Sequence, residues 1–295
     1  MNLTEKMEEA RSMLYLPLDN LATERQFKDR VQRFNPIVGG YKVGMGSHTR
    51  FGTKAIDWVH EAGGKVFLDL KYKDIPNTVE DAAQAAAEHG VELFNVHATG
   101  GYDMMQAAME GATDGSQSSG VMPKVIAVTV LTSLDEMRLL ETFGPIYPAL
   151  HSIDFRQYAI GKDDEELMAE FQGVIEEYGL KGVVQNQVNH LAGLTHLAGL
   201  DGIVCAAADL PSLSLPEGFM KVNPGIKGMN AAVGGDQARI ATAPNAVKWG
   251  SDYLVVGRAL TDPRTKEQKA ANVNVTHEMQ MEAGYTMLEA MAEHL

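Results

Sequence analysis

The chain has a single cysteine, Cys205, so no internal disulfide can form, and that usage predicts a reducing compartment, the cytoplasm. No stretch approaches the roughly 18 apolar residues needed to span a bilayer. The opening residues, MNLTEKMEEARS, are charged and mixed, and no signal-peptide apolar core follows them. Positive charge is scarce, with 25 Lys and Arg against 39 Asp and Glu and a formal net charge of -14. Such a surface repels nucleic acid and anionic membranes, which excludes both as expected partners. A small anionic metabolite stays open, because one Arg or a helix N-terminus can hold a phosphate inside an acidic protein. Two common motifs are also missing. There is no HExxH, and His190 and His196, six apart, match no common metal-ligand spacing. GYKVGMG at 40–46 has close glycines but lacks the order and the following helix start of a dinucleotide site.

What is present is a regular alternation. Short apolar runs, read as strands, fall near Met13–Leu18, Val38–Val43, Lys65–Leu70, Leu93–His97, Lys124–Val130, Gly202–Cys205, Met220–Val222 and Tyr253–Val256. Amphipathic stretches lie between several of them. Thr23–Phe34 reads as one helix, and Ala-rich Val79–His89 as another, with Asn77 and Thr78 as candidate N-caps and Gly90 as its stop. Eight strands alternating with helices predict a closed (β/α)₈ TIM barrel in a single α/β domain over 1–295. Residues 134–182 break the rhythm after the fifth strand and read as an inserted excursion, and 275–295 as a C-terminal helix. GLKGVV at 179–184 resembles GLDGIV at 199–204, which leaves the sixth strand uncertain by one repeat. Met104, Met105 and Met109 fit a packed helix face, and residues 111–120 read as a flexible loop.

The strongest local signal is VFLDLKYKDIPNT at 66–78. Alternate side chains of a strand share a face, so Phe67, Asp69 and Lys71 point one way and Val66, Leu68 and Leu70 the other. A carboxylate and an ammonium two residues apart at a strand's C-terminal end sit on the rim where barrel enzymes keep their chemistry. A surface ion pair on a frayed strand end is the competing reading; the apolar residues just before Asp69 argue against it. Asp19, Lys42 and Asp74 are charged residues at or just beyond the same kind of strand end. His97 ends another strand and reads as structural. In the last third, KVNPGIK (221–227), GGDQ (234–237) and YLVVGR (253–258) offer Pro224, Lys227, Gln237, Gly257 and Arg258 around the loops where such barrels bind phosphate.

DLKYKDIPNT resembles the D-x-K-x-x-D-I-P-N-T signature of the orotidine 5′-monophosphate decarboxylases. The likeness extends through NVHATGG (95–101), AVTVLTS (127–133), GLDGIVCAAAD (199–209), VNPGI (222–226), GDQ and YLVVGRALT (253–261). It covers nearly all of the chain apart from 134–182 and the C-terminal tail. The resemblance implies a lyase of de novo pyrimidine biosynthesis that converts orotidine 5′-monophosphate to UMP and CO₂ with no metal or organic cofactor. It implies Asp69 against the substrate carboxylate and Lys71 as the proton donor to C6, with Lys42 and Asp74 completing a Lys–Asp–Lys–Asp array. It further implies a homodimer in which Asp74 and Thr78 serve the partner's site. Asp19 and Lys42 would contact the ribose, Thr132 would line the nucleotide, and Gln237 and Arg258 would grip the phosphate. One position departs from the family's pattern: many members carry Arg after PGI, where this chain has Lys227, a point charge rather than a bidentate fork. Two other readings are a Mg²⁺-dependent sugar-phosphate decarboxylase or synthase of the same superfamily, which shares D-x-K-x-x-D, and a non-catalytic nucleotide-binding barrel. The I-P-N-T continuation, LTS and GDQ favour the nucleotide enzyme, and the intact charged array favours catalysis.

Overall fold

A computed structural model describes residues 2–143, 176, 182–228 and 241–295. In chain order these form α1 (Leu3–Met13), β1 (Leu14–Pro17), α2 (Glu24–Phe34), β2 (Gly40–Gly44), α3 (Met45–Phe51), α4 (Lys54–Glu61) and β3 (Lys65–Tyr72). There follow α5 (Pro76–Glu88), β4 (Leu93–His97), α6 (Tyr102–Ser119), β5 (Lys124–Val128), α7 (Glu136–Phe143), α8 (Val183–Leu197), β6 (Gly202–Val204) and β7 (Met220–Pro224). The last elements are α9 (Ala243–Lys248), β8 (Tyr253–Val255), α10 (Arg258–Thr261), α11 (Lys266–Ala270) and α12 (His277–Ala292). The strands pair in sequence order, all in parallel, and β1 closes on β8. The expected (β/α)₈ barrel is therefore the fold.

Alternation along the strands builds two hydrophobic layers. Inward-facing Tyr15, Phe67, Leu93, Ile126, Val128, Val204, Val222 and Val255 fill the barrel as one buried cluster. Outward-facing residues such as Leu14, Leu16, Val66, Leu68, Phe94 and Val96 join the helices in the larger core. Burial of this continuous apolar surface is the main force holding the barrel closed. The helix starts follow local chemistry. Thr23 caps α2 by accepting from the backbone N–H of Gln26 at 3.3 Å. No helix of the described residues is long and apolar enough to cross a membrane.

Three local expectations need correcting. Asn77 and Thr78 are not caps: α5 starts earlier, at Pro76, with Ile75 as its N-cap residue. Proline lacks an N–H that would need a partner in the first turn, and its fixed φ suits that position, so the helix starts there without a side-chain cap. Residues 111–119 are not a loop but the last turns of α6. Gly111 and Gly115 are helical because α6 lies hard against α5; a Cβ on either would overlap the backbone oxygen of Glu80 or Gln84. Of the two similar repeats, 202–204 is β6, whereas Val183 and Val184 begin α8. The break expected at 134–182 lies mostly outside the described residues.

Candidate active site

Four adjacent strands place charged or polar groups above the apolar filling of the barrel. In β2 the inward positions are Gly40, Lys42 and Gly44; in β3 they are Phe67, Asp69 and Lys71; in β4 they are Leu93, Asn95 and His97. Asp19 follows β1. Asp69 is 7% exposed, and a carboxylate so deep in a core needs partners to stay ionised. It has three. Lys42 Nζ lies 2.9 Å from Oδ2, Lys71 Nζ lies 2.5 Å from Oδ1, and Asn95 Nδ2 donates to Oδ1 at 2.7 Å. Lys42 also reaches Asp19 Oδ2 at 3.4 Å. Burial pushes the Asp69 carboxyl up, but the two ammonium groups and the hydrogen bonds from Lys71 and Asn95 outweigh it and hold the pKa below its ordinary 3.8. Asp69 is therefore a carboxylate at neutral pH.

The end of β3 is irregular in a way that alternation could not reveal. Lys71 has φ 54°, in the left-handed region, which a residue with a Cβ adopts only at a cost. The pairing of β3 with β4 shifts register between Leu68 and Tyr72. The bulge re-aims the strand end, as bulges beside functional sites do. Lys71 nevertheless stays on the face of Asp69.

A cavity of about 210 Å³ opens over this cluster, lined by Lys42, Asp69, Lys71 and Asn95 on one side and by Thr132, Pro224 and apolar residues such as Val128 and Val204 on the other. A wall that is apolar opposite a row of charges suits a flat, polar ring held at one edge. His97 sits on the same rim. Burial, and then the charges of Lys73 and Lys71, push its imidazole below the ordinary 6.5.

The expected site residues are thus distributed unevenly. Asp19, Lys42, Asp69 and Lys71 form one connected array, and Thr132 and Pro224 face the same cavity. Lys227 lies past β7, partly buried, its N–H donating to Ala241 O at 3.0 Å. Gly257 and Arg258 stand at the start of α10, directly beyond β8, with Arg258 exposed. Asp74 and Thr78 are exposed, and Asp74 Oδ1 accepts from the N–H of Ile75 at 2.7 Å rather than joining the lysines. Gln237 lies outside the described residues. Among the described residues no group of three or more His, Cys, Asp or Glu is assembled to hold a metal ion. Asn95 was absent from the expected set. Its signal was available, since a polar residue at an inward position between Leu93 and His97 is out of place in a barrel core.

A closed parallel barrel carrying a buried, doubly paired carboxylate in a cavity at the carboxyl ends of its strands defines a class, the α/β barrels whose rim is a reaction site. The profile of the orotidine 5′-phosphate decarboxylase / HUMPS family matches residues 12–160 and 168–273, and the chain belongs to that family. Relatives span nearly all of it. It is 37% identical over 272 residues to the orotidine 5′-phosphate decarboxylase of Vibrio atlanticus (strain LGP32), covering 92% of this chain and 99% of that protein. It is 37% identical over 244 residues to that of Syntrophus aciditrophicus (strain SB), covering 82% of each. Among solved structures, orotidine 5′-phosphate decarboxylase from Lactobacillus acidophilus superposes with a TM-score of 0.61 at 27% identity, covering 92% of this chain and 98% of the other.

Proposed function

We propose that this chain decarboxylates orotidine 5′-monophosphate to UMP and CO₂, a step of de novo pyrimidine biosynthesis. The observation that carries the reading is Asp69 held between Lys42 and Lys71 at the cavity floor. The pyrimidine lies in the cavity with its carboxylate towards Asp69. Two carboxylates so close repel each other, and the repulsion fades as the C6–carboxylate bond breaks and neutral CO₂ leaves. The bonding pair stays on C6 as a carbanion. Lys71 stabilises that charge as it develops and then transfers a proton from Nζ to C6, giving UMP. The neutral amine regains its proton from solvent. Lys42 holds Asp69 ionised throughout and, with Asp19, reaches the ribose hydroxyls. Every change of charge in this sequence is met by groups of the chain, so we assign no metal or organic cofactor to it.

The phosphate is bound on the loops beyond β7 and β8 by Lys227, Gln237, Gly257 and Arg258, far enough from C6 for its binding energy to organise the site. Asp74 and Thr78 act in the site of a second copy within a homodimer. Two features support this: both are exposed in the single chain, and neighbouring Ile75 leaves 67% of its surface uncovered. We further take the chain to be one barrel domain, with 134–182 as an excursion from it, working in the cytoplasm on a small-molecule substrate.

The direct test is the loss of orotidylate ultraviolet absorbance in the presence of purified protein, with and without a chelator. Turnover unaffected by chelator is expected. No loss of orotidylate, together with Mg²⁺-dependent, chelator-sensitive turnover of a β-keto acid sugar phosphate, would instead favour the sugar-phosphate branch of the superfamily, and UMP binding without turnover of either would favour a non-catalytic barrel.

A further inference from the structure

Asn95 is 1% exposed and stands in β4 beside the bulged end of β3. Its side-chain amide is used at both ends. Nδ2 donates to Asp69 Oδ1 at 2.7 Å, and Oδ1 accepts from the backbone N–H of Lys71 at 2.8 Å. One partner only accepts and the other only donates, so a single orientation of the amide satisfies both. The two bonds reach the two residues on which the proposed chemistry turns.

The backbone explains why such a clamp is needed. Pairing runs Phe67 with Leu93 and Leu68 with Phe94, then resumes at Tyr72 with Val96. Between those points β3 advances from Leu68 to Tyr72 while β4 advances only from Phe94 to Val96, and Lys71 takes its left-handed φ inside that interval. Lys71 leaves the regular strand path inside the bulge, yet its ammonium still meets the Asp69 carboxylate at 2.5 Å. Strained conformations of this kind persist only where surrounding contacts over-determine them.

We infer that Asn95 is a positioning residue for the decarboxylation, one that fixes the backbone of Lys71 and the carboxylate plane of Asp69 in one mutual geometry. The inference rests on the proposed reading of the site. Asn95 need not touch the substrate; it sets the distance between proton donor and acidic neighbour, and small misplacements of reacting groups cost rate steeply. A residue with this job should affect kcat while leaving ligand binding largely alone.

Two variants test it, with the wild type assayed first on orotidylate. Absence of turnover by the wild type would defeat the functional reading itself and is thereby distinguished from failure of this inference. Asn95→Leu, with the same branching and number of side-chain heavy atoms but without hydrogen bonds, is expected to lower kcat roughly 10- to 100-fold, the scale of losing bonds to a charged group, while the Kd for UMP changes less than about threefold. Asn95→Asp keeps the acceptor for Lys71 but sets a second carboxylate against Asp69. Like charges that close raise one pKa, and the protonated form again donates a hydrogen bond. Its activity relative to wild type should therefore climb as pH falls from about 8 to about 5.5, a response that simple loss of packing would not produce. The inference is overturned if Asn95→Leu keeps kcat within about threefold of wild type, if kcat and UMP affinity fall in parallel, or if the relative activity of Asn95→Asp is flat with pH. Should Asn95→Leu fail to fold, the pH response of Asn95→Asp decides alone.

Discussion

The ammonium of Lys42 stands where a side chain on Gly44 would have to go: a Cβ there would lie 2.9 Å from Lys42 Nζ, and 2.8 Å from Asp19 Oδ1. Gly44 has an ordinary extended backbone, with φ -89°, so its role is space rather than conformation. The glycine lets Lys42 stretch across to Asp69 while still reaching Asp19. Gly44→Ala should push aside only the far ends of two flexible side chains, with Tm changing by less than about 3 °C. It should nevertheless lower kcat/KM for orotidylate by about tenfold, the scale of one disturbed charge-assisted contact. Steady-state kinetics beside a thermal melt would check it, and unchanged kinetics would mean that the Lys42 position tolerates displacement.

The depressed pKa of Asp69 fixes the sign of its pH dependence. A carboxyl whose folded pKa lies below its ordinary 3.8 contributes stability that is fully present above that ordinary value and is lost as pH falls through the lower, folded one. Asp69→Asn should thus be less stable than wild type by about 1–3 kcal/mol at neutral pH, since Lys42 and Lys71 lose their shared anion. That gap should stay constant from about pH 8 to about pH 5 and narrow only below about pH 4. Urea melts across this range measure it, and a gap that closes already at pH 6 would contradict the depressed pKa.

Arg258 follows β8 and opens α10, on the loops where we propose that the phosphate binds. Its removal should be felt by the phosphate alone. Arg258→Ala is expected to weaken UMP binding about 10- to 100-fold while changing uridine binding less than about twofold. Calorimetric titration separates these, and equal losses for both ligands would put the phosphate elsewhere.

The exposed pair Asp74 and Thr78 leads to a complementation experiment. In a dimer that shares these residues, Asp69→Ala and Asp74→Ala chains are each inactive, yet a mixed dimer regains one intact site. Random exchange after mild unfolding and refolding should restore about a quarter of the wild-type activity. Failure to recover any activity would confine each site to one chain.

Much of this was legible from residue order alone, for reasons visible at particular positions. All eight strands lie where apolar runs and β/α alternation put them, because a buried parallel barrel demands apolar residues on both faces of each strand. Lys65–Leu70 marked β3 but stopped short of Tyr72, since a left-handed lysine inside a bulge leaves no trace in hydrophobic periodicity. Asp69 and Lys71 could be paired by their spacing of two. Asn95 could not, because its partners sit on a neighbouring strand and no local pattern reports a cross-strand hydrogen bond. Gly111 and Gly115 misled for a related reason: glycine in isolation signals a turn, whereas here helix-to-helix closeness selected it.

Lys71 carries the chemistry proposed here, and its replacement is the most direct test. Initial rates of orotidylate loss should be compared for wild type and Lys71→Ala, with UMP affinity and Tm measured on the same preparations. If Lys71 both stabilises the C6 carbanion and protonates it, turnover should fall by about a thousandfold or more while Tm changes little and UMP still binds. A variant that keeps its fold and turns over orotidylate within about tenfold of wild type would contradict that role for Lys71.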